Sequence, residues 1–425
     1  MPVTPFRPDG AVPRYVRLLI AARGVNQLGA FSLAFLTVLL CRDFGTSTAA
    51  AGAVATAFGV ATIPSRLLGG RLADRIGRRR TILIGLLGCA AAQLGIAAAP
   101  SLPAAAGWAV LLGLAFELYE PPSQAMIADG TRPEARARTY ALLTTALAVG
   151  NTGAGLIAAI VGRSNLRWLF AIDAASCLVC ALAVRLGTPA DRAALSSGTA
   201  ADRAAGAVTD APDVKQPSPW RDRALLAVTA AGTVYALVYM VLLMALPLSL
   251  AASGLNPASA GVLMTAATVV IVVARPLMRT RLLADLPAPA ASAAGYVLMA
   301  AGLAGYAFAP AGSLPALLAP TAAWSLGNLL LSGQAFAVVA GLAPAGASAR
   351  YLAVFGLSWG FATVAAPPLG TWLIGGFGPA TLWTSMAVVC LAMGVVQPCL
   401  LRALADDSGP AGPPAPVLTK AGAQR

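Results

Sequence analysis

The chain contains no histidine, and only 11% of its 425 residues are charged, roughly half the share of an ordinary globular protein. Without histidine there is no Ser-His-Asp triad, no imidazole metal ligand and no imidazole proton relay. With so few charges a water-exposed surface cannot be covered, which excludes a set of soluble domains. Aromatic residues are scarce at 6%, while alanine and glycine abound, so the expected helices are slim and pack closely. No glycine-rich loop ends in Lys-Ser or Lys-Thr, so ATP hydrolysis is excluded as an energy source. Six cysteines (Cys41, Cys89, Cys177, Cys180, Cys390, Cys399) lie almost entirely inside apolar runs, where a thiol behaves as a small hydrophobe; Cys177 and Cys180 have a redox-like spacing but belong to such a run. No metal or cofactor is expected. The first 13 residues, with Pro2, Pro5, Pro8 and Pro13, have no signal-peptide pattern, so the first apolar run is expected to stay in the mature chain.

What is present is apolar mass. At 58% hydrophobic and roughly 20 residues per bilayer crossing, the chain holds material for about a dozen spans. Apolar runs separated by Gly, Pro and charge clusters predict twelve, near 15–40, 49–68, 80–98, 103–128, 138–161, 166–186, 223–251, 258–279, 289–309, 314–341, 350–375 and 379–401. The expected fold is an all-α membrane protein of two six-helix bundles, residues 1–186 and 223–402, with a hydrophilic linker at 187–222 and a disordered tail at 403–425.

The excess of 29 Lys and Arg over 16 Asp and Glu would suit nucleic acid if it formed a patch. It does not: with twelve spans, 25 basic residues fall on the face that carries both termini, 3 on the other, and Arg23 within a span. That asymmetry makes the termini and linker cytoplasmic, in a multi-pass plasma (inner) membrane protein whose partner is the lipid bilayer and not nucleic acid.

Between the second and third runs lies Gly69-Gly70-Arg71-Leu72-Ala73-Asp74-Arg75-Ile76-Gly77-Arg78-Arg79-Arg80. Gly70 and Gly77 permit a tight turn and close backbone approach, and the arginines cannot cross a bilayer. This segment resembles the cytoplasmic signature of the major facilitator superfamily, G-x-L-A-D-R-x-G-R-[RK]-[RK], at every defining position from Gly70 to Arg80. The resemblance implies alternating access between two six-helix halves, with Gly70, Asp74, Arg75, Gly77 and Arg78 as a gating motif. Asp74 is implied to engage the N-terminus of the eleventh helix, after Gly346-Ala347-Ser348, where unpaired amides favour an anion. The alternative reading has the arginines only anchoring the loop at headgroups. The loop has no clear repeat between spans eight and nine, and 108–114 lacks the arginine many proton-driven members carry. Gly150-Asn151-Thr152-Gly153-Ala154-Gly155 partly resembles the antiporter signature of drug exporters, and serves equally well as a helix-packing surface.

Four ionisable residues are expected within the hydrocarbon, Arg23, Glu117, Glu120 and Asp173, where each is costly and needs a cavity or a partner. On a continuous fourth span Glu117, Glu120 and Gln124 share a face, and Pro121-Pro122 bend it. At 1.5 Å per residue, Arg23 and Glu120 lie at similar depths, roughly 9 and 13 Å, close enough for an ion pair. Glu117, roughly 18 Å deep, has no evident basic partner. A carboxylate buried alone holds its proton more readily, so Glu117 is the leading proton-coupling candidate and Glu120 the second; otherwise Glu117 is a permanently neutral acid or touches substrate only. Asp173 is expected to be structural.

Candidate substrate-cavity residues are Asn26, Gln27, Gln124, Tyr235, Tyr239, Met240, Asn328 and Trp359, with Met244 and Gln334 beside them, and ordinary helix packing is the competing reading of each. The expected function is proton-coupled efflux of small hydrophobic or amphiphilic molecules by a monomer, nearest to the multidrug exporters of that superfamily. Uptake of a neutral metabolite or sugar is the alternative within transport. A membrane sensor or an intramembrane enzyme belongs to other classes, and the enzyme lacks a nucleophile or metal cluster.

Overall fold

The computed structural model describes residues 12–29, 31–131, 136–189, 219–280, 285–310, 312–332, 334–344 and 348–407. Among them there is no strand. Fifteen α-helices follow in order: α1 Arg14–Gln27, α2 Leu36–Phe44, α3 Thr48–Ile76, α4 Arg78–Ala98, α5 Leu102–Phe116, α6 Glu120–Asp129, α7 Arg136–Val161, α8 Arg167–Gly187, α9 Arg223–Ala252, α10 Ser259–Ala274, α11 Ala288–Phe308, α12 Leu318–Leu331, α13 Gln334–Leu342, α14 Ser348–Phe377 and α15 Pro379–Asp407. Apolar chain in hydrocarbon must satisfy its backbone internally, which is why nearly everything is helix. Where helices meet water, side chains take over: Ser47 accepts from the Ala50 amide at 3.2 Å, and Asp222 from Ala224 and Leu225 at 2.9 and 3.2 Å.

Ten helical stretches of the described residues are long and apolar enough to cross a membrane. The α12–α13 pair and the 30-residue α14 fill the positions of the tenth and eleventh expected runs. Large apolar side chains face outward as well as inward, Leu186, Val273 and Phe308 being more than two-thirds exposed, as a lipid-facing surface requires.

α1 packs on α7 and α8, α4 on α5 and α8, and α3 on α5; later in the chain α9 packs on α14, α11 on α12 and α15, and α10 on α12. The two sets meet through α3 against α14 and α7 against α10. Glycines make both meetings close: a Cβ added at Gly59 would stand 2.9 Å from the Thr363 carbonyl oxygen, and one at Gly261 2.6 Å from the Ala159 nitrogen. Gly59 lies roughly 26 Å along α3 from Ile76, so the halves touch at the end remote from the basic turn.

Several boundaries depart from the sequence reading. The second run does not end at 68: α3 continues to Ile76, placing Gly70 in mid-helix, and the turn is made by Gly77 alone, at φ 99°. The close approach belongs to Gly69, where a Cβ would lie 2.8 Å from the Leu118 carbonyl oxygen. The first, fourth and tenth runs are each broken, after Gln27, at 117–119 and at Ser332. Pro121 and Pro122 do not bend a continuous helix; they occupy the first turn of α6, where the missing amide hydrogens cost nothing. The last helix runs five residues into the expected tail, to Asp407.

Candidate functional site

The breaks in the first and fourth runs face a cavity of about 500 Å³, walled by α1, α3, α4, α5, α6 and α8 on one side and α9 and α14 on the other. Five acidic or basic side chains line it: Arg23, Arg66, Glu117, Glu120 and Asp173. Arg23 is 10% exposed and forms a salt bridge with Glu120, while its guanidinium stacks 5.0 Å from the Tyr119 ring centroid. Gln124 Nε2 donates to the other Glu120 oxygen at 2.8 Å.

Glu117 is not without a partner. It lies in the break between α5 and α6, so it does not share a helix face with Glu120 and Gln124, and Arg66 Nε reaches its carboxylate at 3.3 Å. Arg66 lines the same cavity from within α3, which runs on past it to Ile76, so it is a partner for Glu117 and not part of a loop. The amide freed at Glu117 donates to Ser65 Oγ at 3.1 Å, so one turn of α3 satisfies both the backbone and the side chain of the break.

Asp173 is buried on α8, also on the wall of this cavity. Ser32 Oγ donates to its Oδ2 at 2.6 Å, with Ser176 Oγ at 3.4 Å and Cys177 Sγ at 3.9 Å from Oδ1. Gly29, in the break of the first run, packs directly on Asp173 with no room for a Cβ. Asn26 donates to Cys177 Sγ at 3.2 Å and accepts from Tyr119 at 3.1 Å. Gln27 donates to Asn151 at 2.7 Å, tying α1 to the glycine run of α7, where Gly150 rests on Gln27 and Gly155 on Gly261.

A second cavity of about 260 Å³ lies among α9, α11, α12, α13, α14 and α15 and contains no charged side chain. Tyr235, Tyr239, Asn328 and Gln334 line this one, Met240 and Met244 the first, and Trp359 both. Tyr235 donates to Asn328, and the rings of Tyr235 and Tyr239 stand 6.2 and 5.5 Å from that of Trp359. Tyr296 and Gln397, joined at 2.7 Å, are further lining groups on α11 and α15 that no sequence pattern marks. Tyr119 and Gln93 were missed likewise; only their polarity inside apolar runs set them apart.

In the basic turn Arg75 is exposed, Gly77 buried, and Arg79 donates to the Arg185 carbonyl. The Asp74 side chain, residues 345–347 and the side chains of 348–350 lie outside the described residues, and with them the expected contact between Asp74 and the start of α14.

Residues 19–239 match the family model described as Major Facilitator Superfamily. The MFS-type transporter YhjO of Bacillus subtilis (strain 168) is 26% identical over 345 residues, 77% of this chain and 78% of that one. The multidrug resistance protein MdtH of Salmonella arizonae is 33% identical over 120 residues, 27% of this chain and 29% of that one. Among solved structures, the peptide transporter POT in complex with sulfate superposes with a TM-score of 0.73 at 17% identity, covering 92% of this chain and 95% of its own. The POT family transporter PepTSo gives 0.74 at 14% identity, covering 93% and 99%.

Proposed function

The chain belongs to the major facilitator superfamily, a family of multi-pass membrane transporters rather than enzymes, and from that premise we propose that it exports small hydrophobic or amphiphilic molecules in exchange for protons. The observation that carries this reading is the chamber of two arginines and three carboxylates between the halves. Charges in hydrocarbon are retained where they bind or release something. The multidrug-resistance name of a relative matching part of the chain supports export; the peptide carriers, at under a fifth identity, share the fold alone.

In this reading twelve spans form bundles of residues 1–186 and 223–402, with 187–222 and everything after Asp407 on the cytoplasmic side of the plasma membrane, as a monomer. The basic turn is then cytoplasmic, the halves touch at the outer end, and the structure is the inward-facing form of an alternating-access cycle. Arg66 stands between Glu117 and the wall of α14, where a Cβ at Gly356 would be 4.0 Å from its Nη1. A proton on Glu117 removes the charge that holds Arg66 and frees the α3–α14 contact to rearrange. Glu120, held by the buried Arg23, keeps α1 beside α6. Asp74 and its arginines act as the gate at the cytoplasmic end.

The test is Glu117→Gln in right-side-out or inverted vesicles with an imposed pH gradient. Gradient-driven export should fall to background while energy-independent substrate exchange persists; full gradient-driven export by the variant refutes the assignment.

A further inference from the structure

The break in the tenth run settles its own backbone and leaves one side-chain atom over. The Ser332 amide donates to the Asn328 carbonyl at 2.9 Å, the Ser332 hydroxyl to the Leu329 carbonyl at 2.8 Å, and Gln334 Nε2 to the Leu330 carbonyl at 2.7 Å. That commits the donor end of Gln334 and leaves its Oε1 buried with no hydrogen-bond partner. The amide cannot turn over to relieve it, because two acceptors would then face each other. An interior acceptor in that condition lacks a donor that the chain itself does not supply.

Gln334 lines the smaller cavity, and other groups on the same wall are unbalanced in the opposite sense. Tyr235 donates to Asn328 Oδ1 and Tyr296 to Gln397 Oε1, so each amide has its oxygen occupied and its nitrogen donating to no described residue. The wall therefore offers an acceptor and donors, and no Lys, Arg, Asp or Glu lines it. An ion of either sign would lose its water there without gaining a counter-charge, so the cavity selects neutral molecules. Rings form much of the remainder: Tyr235 and Tyr239 stand edge-on to Trp359, and Phe336 meets Phe355 in the same way at 5.1 Å. Such surfaces suit a flat ring. At about 260 Å³ the space lies just under the range of drug-sized sites, enough for a small molecule of rings joined by a short polar link.

We propose that this cavity is a second ligand site, separate from the charged chamber, and that it takes an uncharged aromatic carboxamide. The ligand's N–H donates to Gln334 Oε1, its carbonyl accepts from Asn328 Nδ2, and its rings lie among Trp359 and the tyrosines. Both partners belong to the broken tenth run, so the break builds the site. The inference goes beyond the export reading, since it needs neither Glu117 nor a gradient.

The experiment uses the full-length protein in lipid nanodiscs, with radiolabelled benzanilide as probe, empty nanodiscs as the lipid background and trans-stilbene as competitor. The two molecules share rings and shape, and only benzanilide carries an amide. Saturable binding of one benzanilide per protein is expected, with trans-stilbene displacing it at least about tenfold more weakly, the loss that accompanies interior hydrogen bonds left unmade. Asn328→Leu should weaken benzanilide about fivefold or more and leave trans-stilbene unchanged. Ala335→Phe, which fills the cavity without removing a side-chain hydrogen bond, should abolish binding of both at the native unfolding temperature. The proposal is overturned by absence of saturable binding, by trans-stilbene matching benzanilide on the native protein, or by native benzanilide affinity in either variant. The comparison of two ligands on the native protein holds even where a variant fails to fold. Because no gradient is applied, a protein that does not export in vesicles, refuting the export reading, is told apart from one that lacks this site.

Discussion

The two arginine–glutamate pairs should respond oppositely to the same perturbation. Arg23 is 10% exposed and its partner Glu120 28%, whereas Arg66 is 47% exposed. Removing one member of a buried pair strands the other charge, at about 3–5 kcal/mol. For Arg23→Gln the lower end applies, about 3 kcal/mol, because Glu120 keeps its bond from Gln124 at 2.8 Å. Glu120→Gln strands a more deeply buried guanidinium and should cost at least as much, while the double variant should recover most of the loss, giving a coupling of about 2 kcal/mol. Arg66→Gln removes a pair screened by water and should cost under about 1 kcal/mol. Thermal unfolding in detergent with a thiol-reactive dye measures all of these, since Cys89, Cys177, Cys180 and Cys390 are buried and free. Export under a pH gradient should show the reverse order, with Arg66→Gln abolishing coupling at near-native stability. Equal destabilisation by Arg23→Gln and Arg66→Gln, or an additive Arg23/Glu120 cycle, would refute the reasoning.

Ser65→Val leaves the Glu117 amide without an acceptor in the interior and should lower stability by about 1–3 kcal/mol in the same unfolding assay; Ser65→Thr, which keeps the hydroxyl, should recover most of it. Gly59→Val puts side-chain atoms where even a Cβ would stand 2.9 Å from the Thr363 carbonyl, so it should hold the outer end open. Labelling of a cysteine introduced at the outer end of α14 by a membrane-impermeant reagent should then rise severalfold, and an unchanged labelling rate would count against an outer closure at that glycine.

The helical architecture was readable because it depends on local composition: apolar runs of bilayer length, and arginines crowded into short connections. A contact such as Arg23 with Glu120 is also open to sequence reasoning, since both depths follow from rise per residue. Arg66 was not readable as a partner. The expected second run, 49–68, already contains Arg66, but its pairing rests on the break that places Glu117 beside it and on Gly69, which lets α3 lie against Leu118, both tertiary facts. Pro121 and Pro122 announced an irregularity, and only the structure shows that they open α6 after the break. The first run carries no proline at all near 28–31; its break coincides with Gly29 packed on Asp173 and Ser32 bonded to it, residues far apart in the chain.

These breaks explain why the charges collect where they do. Irregular backbone at membrane depth is tolerated only where it is buried in protein or borders a cavity, because its freed amides and carbonyls need partners. Two of the breaks among the described residues meet that condition on a cavity wall: Ser65 takes the Glu117 amide, and Gln334 Nε2 donates to the Leu330 carbonyl beside the uncharged cavity. The Gln334 Oε1 acceptor is left buried without a partner there, a place where a ligand's N–H or O–H would be welcome. The same geometry separates the two tasks of a transporter. The carboxylates that would bind protons in the proposed exchange lie at or beside the breaks of the first half, while the uncharged cavity with its aromatic wall belongs to the second, and Trp359 is the one aromatic side chain among the described residues that touches both cavities. In the proposed exchange, a substrate lying against Trp359 would sense the protonation state of the opposite wall without having to touch Glu117, which is the coupling that exchange requires.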